Sequence, residues 1–266
     1  MRPALIGLPH DAGSSFLRGS AAAPSAVRQA LGSKASNAWS ERLVQAACAD
    51  TLEDAGDLDL SNAADARARI QDAVAGFAKI CRPFIAIGGD HSVTYPILRG
   101  LRAGYRHVTV LQIDAHSCLH DRYDDDPHSH FSATARAMEE RLAVRLVQVG
   151  IRTATAHEHE QAQRFHVEQI DMRTWADGAR PSTSGLVYVS IDLDAFDPAF
   201  APGVSHREPG GLSVREVLTI IDTIGGDLVG AEIVEFNPAQ DIGGLTAGLS
   251  AKLVKELAAQ FVTESD

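Results

Sequence analysis

Asp114 and His116 stand two residues apart where an apolar run ends, in VTVLQIDAH, and Asp192 and Asp194 end a second run, VYVSIDLD. Carboxylates and an imidazole alternating at the ends of buried strands point the same way, and two divalent metal ions can be held by such a set. Oxygen-rich ligation with a few imidazoles suits Mn2+, with Ni2+ or Co2+ taken where histidine is present. The alternative, a capping Asp beside a surface His, fits poorly, because burying so apolar a strand next to an unpaired carboxylate is costly. Asp197 follows in the next turn, and three carboxylates this close raise one another's pKa unless a cation lies between them. The spacing predicts one more carboxylate at position 118, where the chain has Cys118.

Three further positions complete the candidate set. IAIGGDHSV places His91 behind Gly88 and Gly89, which let the backbone turn tightly and keep side chains away from a ligand; alone, this segment would read as a turn. HSHFSATARAM puts His130 just before a helix, as a proton shuttle; taken alone, it equally suits a surface histidine at a helix start. GAEIVEFNPAQD ends a strand with Glu235, a carboxylate able to pair with a planar cationic group.

The elements that must position these residues alternate. Apolar β-rich runs are expected as strands at Ala4–Gly7, Phe84–Ile87, Val108–Asp114, Val144–Gly150, Val187–Asp192 and Leu228–Glu235. Amphipathic stretches are expected as helices at Pro24–Leu31, Asn62–Ile80, Tyr95–Ala103, Ala133–Leu142, Val214–Ile224 and Thr246–Phe261. Ser213 with Glu216 forms a capping-box signal, and Pro24 suits a first helical turn. The alternation predicts an α/β fold, a three-layer α/β/α domain around a mostly parallel sheet. No repeat or linker interrupts it, so one domain is expected over 1–266. In such sheets ligands gather beyond the carboxyl ends of the strands, where every polar cluster named here falls.

Composition sets bounds. With 266 residues, 45% hydrophobic and 22% charged, the chain can form one large core. It has no apolar run long enough to span a membrane and no signal-peptide pattern at MRPALIGLPHD. Three widely spaced cysteines do not suggest a disulfide framework, so a reduced, cytoplasmic chain is expected. A net charge of -11 disfavours nucleic acid or an anionic membrane as partner and is compatible with a cationic substrate.

GGDHS, DAH, SIDLDAFDPAFAPG and VEFNP, in this order, resemble the ureohydrolase superfamily of arginase and agmatinase. LVQVGIRT and GVSHREPGGLS bring the likeness closest to its plant-type and bacterial branch, and the likeness spans nearly the whole chain. The resemblance implies trimers or hexamers in which two Mn2+ ions, or Ni2+ in some members, activate water to cleave a guanidine to urea and an amine. It implies His91 as ligand of one ion and His116 of the other, Asp114 and Asp192 as bridges, and Asp194 as chelator of the second ion. His130 then matches the proton-shuttling histidine and Glu235 the carboxylate that grips the guanidinium. The family pattern is Asp-Ala-His-x-Asp, whose last residue is a ligand of the His91 ion, and Cys118 departs from it.

A thiolate at Cys118 is a soft ligand that shifts preference from Mn2+ toward Zn2+, Ni2+ or Cu, and a weakened His91 ion is expected. Three functions compete: hydrolysis of a small guanidine such as arginine, agmatine or guanidinobutyrate; a weakened subunit supporting an active paralogue, as in the two-subunit metformin hydrolases; and a non-enzymatic guanidine sensor. Retention of Asp192, Asp194, His130 and Glu235 favours chemistry.

Overall fold

The computed structural model describes residues 2–262. Eight strands form one sheet: β1 (Ala4–Gly7), β2 (Glu53–Asp57), β3 (Phe84–Ile87), β4 (Val108–Ile113), β5 (Arg145–Val149), β6 (Glu168–Ile170), β7 (Leu186–Asp192) and β8 (Asp227–Val234). Their order is β2-β1-β3-β8-β7-β4-β5-β6, and every pairing is parallel, where the sequence suggested only a mostly parallel sheet.

The pleat sorts side chains between two helical layers. Ile85, Ile87, Leu111, Ile113 and Ile191 face a core closed by α1 (Ala23–Leu31), α7 (Val214–Asp222) and α8 (Leu245–Gln260), through Val27, Ile221 and Leu253. Phe84, Ala86, Val110 and Tyr188 face the opposite core, closed by α2 (Ala63–Lys79), α3 (Thr94–Leu101), α4 (Ala133–Glu139) and α5 (Ala156–Arg164), through Ile70, Ile97, Ala135 and Ala162. The short α6 (Met172–Ala176) follows β6. The result is a single α/β domain of three layers.

The six expected strands and six expected helices are present within a few residues of their expected ends. Four elements were not legible. β2 reads EDAGD and is mostly exposed, and β6 is three residues long. Both are sheet edges, with one neighbour each and no need of an apolar run. α5, AHEHEQAQR, is nearly all polar and rests on a capping box from Thr155 and Glu158, and α6 has only five residues, capped by Asp171. The expected capping box of Ser213 and Glu216 starts α7. Helix α4 ends at Glu139 rather than Leu142, and Arg141 takes a left-handed φ of 54°.

Register is what builds the site. Ile87 pairs with Ile233, Ile233 with Ile191, and Ile191 with Ile113, so β3, β8, β7 and β4 end on one line. Gly88–His91, Glu235, Asp192 and Asp114 begin just past that line. Motifs far apart in sequence thus emerge side by side.

Candidate metal centre

Asp114 lies one residue beyond β4 and is fully buried. The extended spacing expected for Asp114 and His116 is replaced by a turn in which the His116 N–H donates to Asp114 Oδ1 (2.7 Å). Asp192 and Asp194 repeat it: the Asp194 N–H donates to Asp192 Oδ1 (2.8 Å). In both pairs the first carboxylate bends the chain so that the second side chain turns back toward it. Asp197 does not join them. It accepts the N–H groups of Ala199 and Gly210 outside the cluster, so two carboxylates rather than three converge from this segment.

Two donor groups form around Asp114: His91, Asp114 and Cys118 on one side, Asp114, His116 and Asp194 on the other, all buried. His91 Nδ1 is 3.1 Å from Asp114 Oδ2 and 3.0 Å from Asp192 Oδ2. His116 Nδ1 is 2.9 Å from Asp194 Oδ2. Cys118 Sγ lies 3.7 Å from His91 Nδ1 and 3.5 Å from Asp114 Oδ2, at a left-handed φ of 53°. The electrostatics follow from burial and from charged groups packed about 3 Å apart. Burial, then the charges of Asp194 and Asp114, push the Asp192 carboxyl well up, and burial also raises Asp194 despite His116. Burial opposes charge on Asp114, but hydrogen bonds from His116 and His91 overcome it and hold the carboxylate far below its usual range. Burial likewise disfavours charge on His116, yet the carboxylates of Asp194 and Asp114 push it up to about 12. Burial, then the Asp114 charge, raises the Cys118 thiol. Buried nitrogen and carboxylate donors that share protons at 3 Å fit divalent ions.

Glu235 and His130 meet beside this cluster. His130 Nδ1 lies 2.8 Å from Glu235 Oε1, which also accepts the His91 N–H at 2.8 Å. The Ser15 N–H donates to His130 Nε2 (3.2 Å) and Ser15 Oγ is 2.9 Å from it. In the neutral imidazole Nε2 is therefore the acceptor and Nδ1–H donates to Glu235. Burial works against charge on His130, but Glu235 and Asp90 raise it; burial favours neutral Glu235, but His130 lowers it. All eight candidate residues, His91, Asp114, His116, Cys118, His130, Asp192, Asp194 and Glu235, lie at this one end of the sheet. Gly88 and Gly89 serve packing rather than a tight turn. A Cβ on Gly89 would sit 1.7 Å from the His10 carbonyl oxygen, and one on Gly88 would meet Val234 at 2.7 Å.

Several residues escaped the sequence reading. One register line before the strand ends runs a buried polar belt. Glu232 pairs with Ser190, Ser190 with Gln112, Gln112 with Gln148, and Gln148 with Gln169. Gln169 donates to Gln148 (2.8 Å), Gln148 to Gln112 (2.8 Å), and Gln112 to Asp114 Oδ2 (2.6 Å). At the other end Ser190 Oγ lies 2.9 Å from His91 Nε2, and Thr94 donates to Glu232 (2.6 Å). Part of the signal was available: Gln112 and Gln148 each stand third from the end of an expected strand, whereas Gln169 lies on β6, which the sequence did not reveal. The mouth was also missed. His116, His120, Tyr123, Phe131, His206 and Glu208 help line a cleft of about 240 Å3, and Phe131 and His206 stack edge-on at 5.3 Å.

The chain matches the model of the arginase family over residues 2–259. It is 41% identical to "Arginase 1, mitochondrial" of Arabidopsis thaliana across 97% of this chain and 80% of that protein. Among solved structures it resembles the arginase from Medicago truncatula (TM-score 0.90, 37% identity, 98% of this chain and 87% of that one). It also resembles the proclavaminate amidino hydrolase from Streptomyces clavuligerus (TM-score 0.85, 29% identity, 98% and 91%). With an arginase-like fold and a buried double donor group at the strand ends, this chain is a member of the arginase family, within the ureohydrolase superfamily.

Proposed function

We propose that the protein hydrolyses the C–N bond of a small guanidine or amidine at a two-metal centre, releasing urea or a urea derivative and an amine. The observation that carries this reading is the pair of donor groups sharing Asp114, with the Glu235–His130 pair alongside. His116, Asp114, Asp192 and Asp194 would hold one divalent ion, best Mn2+ with Ni2+ as alternative; His91, Asp114, Asp192 and Cys118 would hold the other. Two such ions supply an acidified water as nucleophile. Glu235 uses the oxygen that His91 and His130 do not engage to draw in the planar cation. His130, its Nδ1 side tied to Glu235, passes a proton through Nε2 toward the leaving amine, with Ser15 at that atom. The imidazole and aromatic walls of the mouth would flank the substrate's chain, with Glu208 Oε1 3.9 Å from His116 Nε2 on the outer side of the centre. Arginine, agmatine and guanidinobutyrate are the substrates to try, supported by relatives named arginase and, at 38% identity over 188 residues, guanidinopropionase of Pseudomonas aeruginosa.

The same proposal makes 1–266 one domain that assembles as a trimer or hexamer, supported by family membership, in the cytoplasm, for which the support is three free cysteines, whereas the Arabidopsis thaliana relative is named mitochondrial. Cys118 in place of the family's carboxylate favours a second reading, a weakened subunit that supports an active paralogue in a mixed oligomer. One experiment separates the two. The purified chain, loaded in turn with Mn2+, Ni2+, Co2+ and Zn2+, is assayed for urea and amine release from the three guanidines, beside Cys118→Asp. Turnover by the native chain supports the first reading; turnover only by Cys118→Asp supports the second. Silence from both chains under every metal overturns hydrolysis and leaves the guanidine sensor, to be sought by calorimetry.

A further inference from the structure

We infer that Cys118 is a thiolate ligand and that the His91 half of the centre selects a thiophilic ion of the Zn2+ or Co2+ type, making the centre asymmetric in metal as well as in ligand. This inference concerns the metal alone and does not rest on guanidine being the substrate.

Three observations carry it. First, Cys118 is 2% exposed and its sulfur faces the donor group rather than the apolar core. A left-handed backbone at φ 53°, unfavourable for a side-chain-bearing residue, turns it there. Its carbonyl accepts from the Thr134 hydroxyl (2.8 Å) and from the Ala135 N–H (3.2 Å), which fixes the turn independently of the thiol. Second, His91 Nε2 is engaged by Ser190, so Nδ1 turns inward, 3.0–3.1 Å from two carboxylate oxygens. A ring nitrogen that faces two carboxylates at that range is held there by a proton or by a cation, and a divalent ion can replace the proton. Third, the spacing fits. A tetrahedral zinc site separates its sulfur from a nitrogen or oxygen ligand by about 3.5 Å, and nitrogen from oxygen by about 3.3 Å. The distances here are 3.7 and 3.5 Å from sulfur, and 3.1 and 3.0 Å from nitrogen to oxygen.

The donor chemistry then decides between ions. The sulfur, the imidazole and the Asp114 carboxylate form a mixed set in which thiolate pulls toward Zn2+ and Co2+, whereas Mn2+ prefers oxygen. The other half, with His116, Asp114 and Asp194, has no sulfur and keeps its preference for a harder ion. Ligation replaces the S–H proton by the metal–sulfur bond, and that proton leaves to solvent together with those that the other ligand atoms hold.

The test uses the full chain, stripped with a chelator and titrated with Co2+, while sulfur-to-cobalt charge-transfer absorption is followed in the near ultraviolet. The band should grow and saturate at one ion per chain, vanish in Cys118→Ser, and persist in the double variant Cys48→Ser/Cys81→Ser, whose only remaining thiol is Cys118. One equivalent of Zn2+ should erase it, and Mn2+ in about hundredfold excess should not. Absence of the band in the native chain, its survival in Cys118→Ser, or its loss to equimolar Mn2+ would overturn the inference. Should Cys118→Ser fail to fold, the double variant still decides, because a missing band there rules out Cys118 as ligand. No substrate is used, so failure here leaves the hydrolase reading standing, and failure of hydrolysis leaves this one.

Discussion

At position 118 the inferred choice of ion turns on one donor, sulfur in place of oxygen. Cys118→Asp restores an oxygen donor on the same turn, and Mn2+ affinity of the His91 half should rise by at least about tenfold, read by calorimetric titration. Two unequal Mn2+ sites in the native chain and two nearly equal ones in the variant are expected; an unchanged isotherm would count against any ligating role for position 118. In the proposed function Glu235 acts differently, through charge on the substrate rather than on the metal. Glu235→Gln keeps an acceptor for the His91 N–H but removes the negative charge that draws in a guanidinium. KM should therefore rise by about a factor of ten or more, the worth of a charge-assisted hydrogen bond, measured on whichever guanidine the native chain turns over. Unchanged KM and kcat would remove Glu235 from the substrate site.

Among the elements, the strand ends carry the ligands and the line behind them carries the polar belt. Gln169, Gln148 and Gln112 each donate onward in the same direction, so their dipoles converge on Asp114. Gln148→Leu breaks this chain in its middle, leaves Gln112 Oε1 without its donor and leaves the Ser117 carbonyl with the Thr134 hydroxyl alone. About 1–3 kcal/mol of stability should be lost, and metal affinity should fall by about tenfold to a hundredfold, because Asp114 loses its orientation from behind. Denaturant melts and metal titration read the two effects separately; a loss of stability with metal affinity intact would make the belt structural only. Helix α7 offers a control whose cap takes no part in the donor groups. Ser213→Ala removes a cap that Glu216 reciprocates and should cost about 1 kcal/mol with metal binding unaffected.

For the molecule as a whole, the buried centre makes stability depend on pH and metal together. Asp90, Asp192, Asp194, His91, His116 and His130 all hold protons more tightly folded than unfolded. Their contributions are complete below the ordinary carboxyl value of 3.8 and histidine value of 6.5, and are lost as pH rises through the raised values. Asp114 and Glu235 run the other way: their contributions are complete above their ordinary values of 3.8 and 4.5 and are lost as pH falls through the lowered ones. The Tm of the metal-stripped chain should therefore decline as pH rises through the neutral and alkaline range. Divalent ions take the protons' place, so the loaded protein should melt higher and with a flatter slope. Thermal melts across pH, with and without chelator, check this; identical slopes would mean that the cluster does not bind metal in solution.

The alternation of apolar runs and amphipathic stretches was enough to specify an α/β/α domain, because burial of both faces of a parallel sheet leaves its mark on every interior strand. The edges β2 and β6 and the polar helix α5 escaped, since an element with one covered side needs no such mark. The types of all eight candidate residues, seven at or just past strand ends and His130 before a helix, were likewise legible in sequence, as was the anomaly at Cys118. What only the tertiary structure decided was adjacency. The order β3-β8-β7-β4 and a shared register line bring His91, Glu235, Asp192 and Asp114 together, turn Asp197 away, and lay glutamines from three strands end to end behind Asp114. Strand order depends on which helices pack where over the whole chain, and no local pattern carries that information.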